Sequence, residues 1–264
     1  VARMLQTRCG VETERQIFKT TGDAILDRPL AEIGGKGLFT KELEVALMNH
    51  QIDIAVHSLK DMPTTLPEGL VIGAVPSRGD VRDCVLTRVG ELPDPAVVGT
   101  ASLRRGSLSA QRWPDARIEP IRGNVKTRMD RHIADGARRV DAVILAMAGL
   151  LRLKYTEERE DIDFLPLNPE RWIPAVGQGA LAVECRGDDD EVRRLLMDIH
   201  DDSTGSCTDA ERAFLKAVEG DCRVPVGAHA TMDRGQIGLR AFVGAPDGSE
   251  HIVRTAIGVD AHRL

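Results

Sequence analysis

After Thr40, apolar positions at Leu43, Ala46 and Leu47 recur at helical spacing, which predicts a helix to about Asn49 with Thr40 as its cap. Ile52, Ile54 and Val56 then alternate with polar neighbours and predict a strand. It runs out at His57-Ser58-Leu59-Lys60-Asp61-Met62-Pro63, where Pro63 and Pro67 forbid a regular continuation. Upstream, the chain reads as a helix followed by an extended stretch, with Gln16 to Thr20 strand-like and a turn at Thr21-Gly22-Asp23. The middle of the chain alternates. Ala96–Thr100, Arg117–Ile121 and Val140–Ala146 read as strands. Between them lie a helix capped by Ser102 and closed by Pro114, and a second capped by Asn124 and ended by Gly136. A proline-rich connection at Pro166, Pro169 and Pro174 leads to Gly177-Gln178-Gly179-Ala180, a strand Leu181–Glu184 and a charged helix from about Asp190 to His200. In the last segment Thr208-Asp209-Ala210-Glu211 reads as a capping box for a helix ending at Gly220. Three short strands follow near Ala228, Leu239 and Val253.

Repeated βα units predict a mostly parallel sheet with helices on both faces, and the last segment a small α+β domain. A length of 264 residues suits about two domains and needs no disulfide or metal staple. The longest uncharged apolar run, Ala142 to Leu151, is ten residues, too short to span a bilayer. Aromatic residues are 3%, which speaks against a base-stacking platform for single-stranded nucleic acid. Cys9, Cys84, Cys185, Cys207 and Cys222 form no C-x-x-C, so neither a zinc knuckle nor a thioredoxin motif is present, and free thiols suit a reducing cytosol.

Net charge is −6, but the positive charge is concentrated. Between Ser102 and Arg139 nine Arg and one Lys face Asp115, Glu119, Asp130 and Asp135. Arginine suits planar, bidentate capture of carboxylate or phosphate. Arg104 and Arg105 fall in the first turn of a helix, against the dipole, with no acid nearby in sequence. Arg122 sits at a strand end, and Arg128 one turn into the next helix. These positions lie near the carboxyl ends of strands, where α/β proteins bind ligands, and point to an anion site; pairing with acids far away in sequence is the other reading. Asp61, also at a strand end, could stabilise a cationic intermediate or serve as a turn aspartate. His57 reads as structural. Gly34-Gly35-Lys36-Gly37 lacks P-loop spacing and reads as a lid or linker. Cys222, on a loop beside Arg223, could be an activated thiol; the other four cysteines fit buried structural positions.

Seven separate stretches resemble the porphobilinogen deaminase (hydroxymethylbilane synthase) family. They are Ile33 to Phe39, Asp53 to Pro63, Gly99 to Arg105, Arg122-Gly123-Asn124-Val125 with Arg128, Ala146 to Arg152, Pro174 to Ala180, and Gly220 to Gly227. The resemblance implies an α/β fold of two type II periplasmic-binding-protein-like lobes with mixed, mostly parallel sheets, plus a small C-terminal α+β domain. Residues 1–78 would form domain 1, 79–175 domain 2, 176–200 the return to domain 1, and 201–264 domain 3. It implies a transferase that joins four porphobilinogen molecules head to tail, releases ammonia at each step, and frees hydroxymethylbilane by hydrolysis. A dipyrromethane cofactor would be carried as a thioether on Cys222. Asp61 would be the catalytic carboxylate. Lys60, Arg104 and Arg105 would bind the cofactor, and Arg122, Arg128, Arg152, Gln178 and Lys36 the substrate. No metal, membrane or nucleic acid is implied, and a cytoplasmic monomer is.

Two departures bear on activity. The family's opening strand and an active-site Arg and Ser precede the point where this sequence starts, and its closing helix follows the point where it stops, so a weakly active chain is expected. The alternative is a non-catalytic, two-lobed carboxylate-binding protein that needs the arginines but neither Asp61 nor Cys222.

Overall fold

The computed structural model describes residues 1–20, 40–88, 97–121, 123–132, 140–218 and 224–263. Three sheets organise them. The first joins β1 (Ile54–Ser58), β2 (Leu70–Ala74) and β8 (Leu181–Arg186) in the order β1-β8-β2, with both pairings antiparallel. The chain therefore leaves this sheet after β2 and returns more than a hundred residues later to lay β8 between its first two strands. Helix α2 (Lys41–Met48) packs on β1 and β8, helix α7 (Asp190–Met197) on β2 and β8, and α1 (Ala2–Cys9) on α7.

Between departure and return lies a five-stranded sheet, β3 (Asp83–Arg88), β4 (Val97–Gly99), β5 (Arg117–Glu119), β6 (Ala142–Ala146) and β7 (Ile162–Pro166), in the order β5-β4-β6-β3-β7. Cys84, Leu86, Val143 and Leu145 pack on one face with Met129 and Leu150. Val85, Ala142 and Ile144 pack on the other with Leu108, Trp113 and Trp172. Both faces are covered, so β6 reads as an unbroken apolar run. The covering helices are α3 (Leu103–Arg112), α4 (Val125–His132) and the short α5 (Met147–Arg152) and α6 (Tyr155–Glu158). The third sheet is an antiparallel meander of β9 (Val226–Asp233), β10 (Gln236–Gly244) and β11 (His251–Gly258). Helix α8 (Asp202–Ala217) seals it through Cys207 and Ala210 against Ala228, Ala230 and Leu239.

The α/β architecture with mixed sheets and a small C-terminal α+β unit is as expected, but its details differ from the sequence reading. Parallel pairing is confined to β4–β5 and β4–β6, and the other described pairs are antiparallel. Strands that close a crossover or return from another lobe run against their neighbours, so the parallel share is smaller than repeated βα units suggested. Gln16 to Thr20 forms no strand. The strand β1 exists, but it buries Ala55 and His57 and leaves Val56 44% exposed, because His57 meets a buried acid from β8. Ser102 and Asn124 do cap their helices, accepting from the Arg105 and Thr127 N–H groups. Thr40 stands at the start of α2 without a side-chain cap bond. The Thr208 capping box is wrong: Asp201 caps α8 at 2.8 Å from the Thr204 nitrogen, and Thr208 is mid-helix, donating back to Thr204 and Gly205 carbonyls. Helix α8 ends at Ala217. Gly136, Gly220, the 31–39 loop and the turn at 21–23 lie outside the described residues.

Candidate active site

The site grows from the two segments that connect the first sheet with the second. Going out, residues 75–83 run from β2 into β3; coming back, residues 173–180 run into β8. They touch where the Gly79 N–H donates to the Gly179 carbonyl at 3.1 Å. Gly179 has φ of +86°, and a Cβ there would lie 2.8 Å from the Gly79 oxygen and 2.9 Å from the Asp80 oxygen, so only glycine lets the strands of chain pass this closely. Gly177, at φ +70°, is likewise pressed against Leu59 and Lys60.

Just beyond this crossing, Asp83 opens β3 with its side chain fully buried. Its Oδ2 accepts from Arg104 Nη2 at 2.7 Å and Trp172 Nε1 at 2.8 Å. Its Oδ1 accepts from Arg105 Nη2 at 2.7 Å, Arg105 Nε at 3.1 Å and Gln178 Nε2 at 2.9 Å. Arg104 Nη1 also donates to the Ile173 carbonyl and Arg105 Nη1 to that of Ile144. Burial alone would raise the Asp83 pKa, but the two guanidinium charges and their hydrogen bonds outweigh it and hold the carboxyl well below the usual carboxylate range. Arg104 and Arg105 thus have the long-range acid partner that the sequence left open. They are not neutralised by it: two buried cations share one carboxylate.

Asp61 and Lys60 belong to a single 3-10 turn, Leu59–Asp61, at the carboxyl end of β1. The return segment fixes this turn, since the Leu59 N–H donates to the Ala180 carbonyl at 3.1 Å. Asp61 is exposed. Lys60 keeps open surface, yet the chain packed around its ammonium desolvates it; that lowers its pKa, and the Arg105 and Arg104 charges add to the effect while Asp61 and Asp83 oppose it. Arg104, Arg105 and Gln178 are therefore gathered on Asp83, with Lys60 in electrostatic range of it and Asp61 next to Lys60 in the same turn. Arg152 lies one step along the hinge, donating from Nη2 to the Gly179 carbonyl at 2.7 Å. Arg128 donates from Nε to the Gly123 carbonyl at 2.7 Å, beside position 122. Lys36, Arg122 and Cys222 lie outside the described residues. Burial pushes the Cys84 thiol up to about 12 and raises those of Cys185 and Cys207, so none of these three is an activated nucleophile.

Two buried polar atoms in this array have no partner: Arg104 Nε, a donor, and Gln178 Oε1, an acceptor. The Gln178 amide is oriented unambiguously, because Nε2 faces two acceptors, the Val81 carbonyl and Asp83. A buried cluster with surplus positive charge, one spare donor and one spare acceptor fits a dipyrromethane, whose carboxylates accept and whose pyrrole N–H groups donate.

Asp83 and Trp172 were not singled out from sequence, nor was the ion pair that locks the same crossing. Arg78 binds Glu211 of α8 through both Nη atoms at 2.6 and 3.0 Å and donates from Nε to the Gln178 carbonyl. The one available signal was the pair Arg104-Arg105 at a helix start without local acids, which demanded a distant carboxylate.

Two lobes exchanging chain through a paired crossing, with a buried cluster of cations beside it, define a two-lobed α/β protein with a candidate site next to the crossing. The comparisons with known proteins narrow this. The porphobilinogen deaminase dipyromethane cofactor binding domain matches residues 1–194, and the porphobilinogen deaminase C-terminal domain matches residues 206–263. The porphobilinogen deaminase of Brevibacillus brevis is 51% identical over 246 residues, covering 91% of this chain and 77% of that protein. That of Bacillus pumilus is 49% identical over 250 residues, covering 93% and 78%. The chain belongs to the porphobilinogen deaminase family. Among solved structures, an ABC transporter from Parabacteroides distasonis aligns with 67% of this chain and 62% of that one at 13% identity and a TM-score of 0.39, too slight a likeness to argue from.

Proposed function

We propose that this chain is a hydroxymethylbilane synthase, a transferase that joins four porphobilinogen units head to tail with loss of ammonia and releases the linear tetrapyrrole by hydrolysis. The observation that carries the site assignment is the surplus of buried positive charge around Asp83, in electrostatic range of Lys60, whose neighbour in the chain is Asp61. Each porphobilinogen unit brings carboxylates, so a growing chain is increasingly anionic and needs such a recess. Salt screens the acidic exterior beyond about 8–10 Å, so a net negative protein can still attract it.

A dipyrromethane bound through Cys222 supplies the primer to which units are added. The chain's own residues do the rest. Arg104, Arg105 and Lys60 hold the primer's carboxylates, and Gln178 offers Oε1 to a pyrrole N–H. Arg122, Arg128, Arg152 and Lys36 hold the carboxylates of incoming and added units. Asp61, exposed toward substrate and fixed by its 3-10 turn, assists departure of the amino group and stabilises positive charge on pyrrole nitrogen. Residues 1–78 with 176–200 act as one lobe, 79–175 as the second, and 201–264 as the third unit. The described cysteines are free thiols, which suits a reducing compartment such as the cytoplasm.

Intact mass of the purified protein tests this reading. A covalent dipyrromethane that disappears in Cys222→Ser supports it; an unmodified wild-type mass favours a non-catalytic carboxylate binder. Asp61→Ala is expected to keep the adduct and lose turnover, and retained turnover removes Asp61 from its role.

A further inference from the structure

We infer that Asp83 is a positioning residue: its buried carboxylate holds Arg104, Arg105 and Gln178 as one rigid array whose unspent N–H donors form a ready-made carboxylate site. The inference rests on the function proposed above and names how its binding site is built.

A guanidinium has five N–H donors. Arg104 spends one on Asp83 and one on the Ile173 carbonyl, leaving Nε buried without a partner. Arg105 spends two on Asp83 and one on the Ile144 carbonyl. Both therefore keep donors to give, although both side chains are almost fully enclosed. An ion pair serving stability alone would be charge-balanced, because an unpaired buried charge is costly. Here the balance stays positive, and the nearby Lys60 adds to it. The Trp172 indole contributes a neutral donor that pins Oδ2, so the carboxylate plane cannot rotate to follow either arginine. Such preorganisation matters because long side chains otherwise lose entropy each time they grip a ligand.

Asp83→Asn separates positioning from charge balance. The variant keeps the side-chain shape and makes the recess one unit more positive. If Asp83 merely offset charge, anionic groups would be held at least as well. If it positions donors, they are held less well, because the new amide N–H₂ opposes the donors that met a carboxylate oxygen. The test uses the full chain as purified. Expected is a share of molecules carrying the covalent adduct that falls at least fivefold, with cooperative melting retained and Trp172 emission shifted. Wild-type adduct loading in a folded Asp83→Asn protein overturns the inference. Should that variant not fold, Trp172→Phe, which removes one donor and no charge, is expected to lower loading about twofold, and unchanged loading overturns it. An unmodified wild type would count against the proposed function instead. The same comparison is then read by the rise in melting midpoint with citrate at constant ionic strength. A rise lost in Asp83→Asn supports positioning, and an equal rise in both proteins, or none in either, overturns it.

Discussion

Asp83 and Glu211 are both fully buried carboxylates held by arginine, and they differ in what is left over. Glu211 takes a bidentate grip from a single cation, Arg78, and its oxygens also accept the Gly177 N–H at 2.7 Å and the Ala230 N–H at 2.8 Å. Charge closes there, one cation to one carboxylate, and three parts of the chain meet: the outgoing crossing, the return segment and the third sheet. Asp83 takes two cations, and its charge balance stays open. The pair at Glu211 is a joint and the array at Asp83 is a receptor. Balanced charge marks the first; surplus of one sign marks the second.

Removing one partner from the closed pair should give the largest loss of stability. Glu211→Ala leaves Arg78 buried and unpaired and frees two backbone N–H groups, at an expected cost of about 3 to 5 kcal/mol by urea denaturation. A loss below 1 kcal/mol would show that the joint is slack. Gly179→Ala comes next. It combines a left-handed backbone with contacts under 3 Å to two carbonyl oxygens, and an expected loss of about 2 to 3 kcal/mol follows if the crossing cannot spread. A melting midpoint unchanged from wild type would mean that it can.

Acid sharpens the comparison from the other side. The Asp83 pKa is depressed on folding, so its contribution is complete above the unfolded value of about 3.9 and is lost as pH falls through the folded value. Stability of the wild type should therefore decline steeply below about pH 4, and Asp83→Asn should flatten that limb. Denaturant midpoints measured between pH 5 and pH 2.5 check this; parallel curves for the two proteins would contradict it.

Much of this was legible in the chain itself. The helix starts at Ser102 and Asn124 and the apolar run of β6 could be read because the governing interactions are local. Arg104, Arg105 and Gln178 on Asp83, and Lys60 and Asp61 in the neighbouring turn, were all named from sequence. Their organiser was not. Asp83 stands alone ahead of an apolar strand, and its partners lie 21, 22, 89 and 95 residues away, so nothing local distinguishes it from a turn aspartate. The face of β1 was misread for the same kind of reason: His57 is buried because Glu184 of β8 meets it at 3.0 Å, and only the fold brings them together. The false capping box at Thr208 shows a local motif losing to a better one, since Asp201 starts the helix two turns earlier and Glu211 is needed at the joint.

The smallest expected effect concerns how the helix carrying both arginines is held at its start. Arg104 and Arg105 oppose the dipole of α3 there, and no acid sits in its first turn. Two features offset them: Asp83 from β3 and the Ser102 cap. That cap is long, 3.4 Å from the Arg105 nitrogen, whereas Asp201 caps α8 at 2.8 Å. Near the distance limit a hydrogen bond contributes little, and Ser102→Ala should cost about 0.5 kcal/mol against about 1 to 2 for Asp201→Ala. If Ser102→Ala proved the more damaging of the two, the cap rather than Asp83 would be what holds this helix against its own charges. The receptor would then depend on local sequence after all, and the contrast with the Glu211 joint would narrow to charge alone.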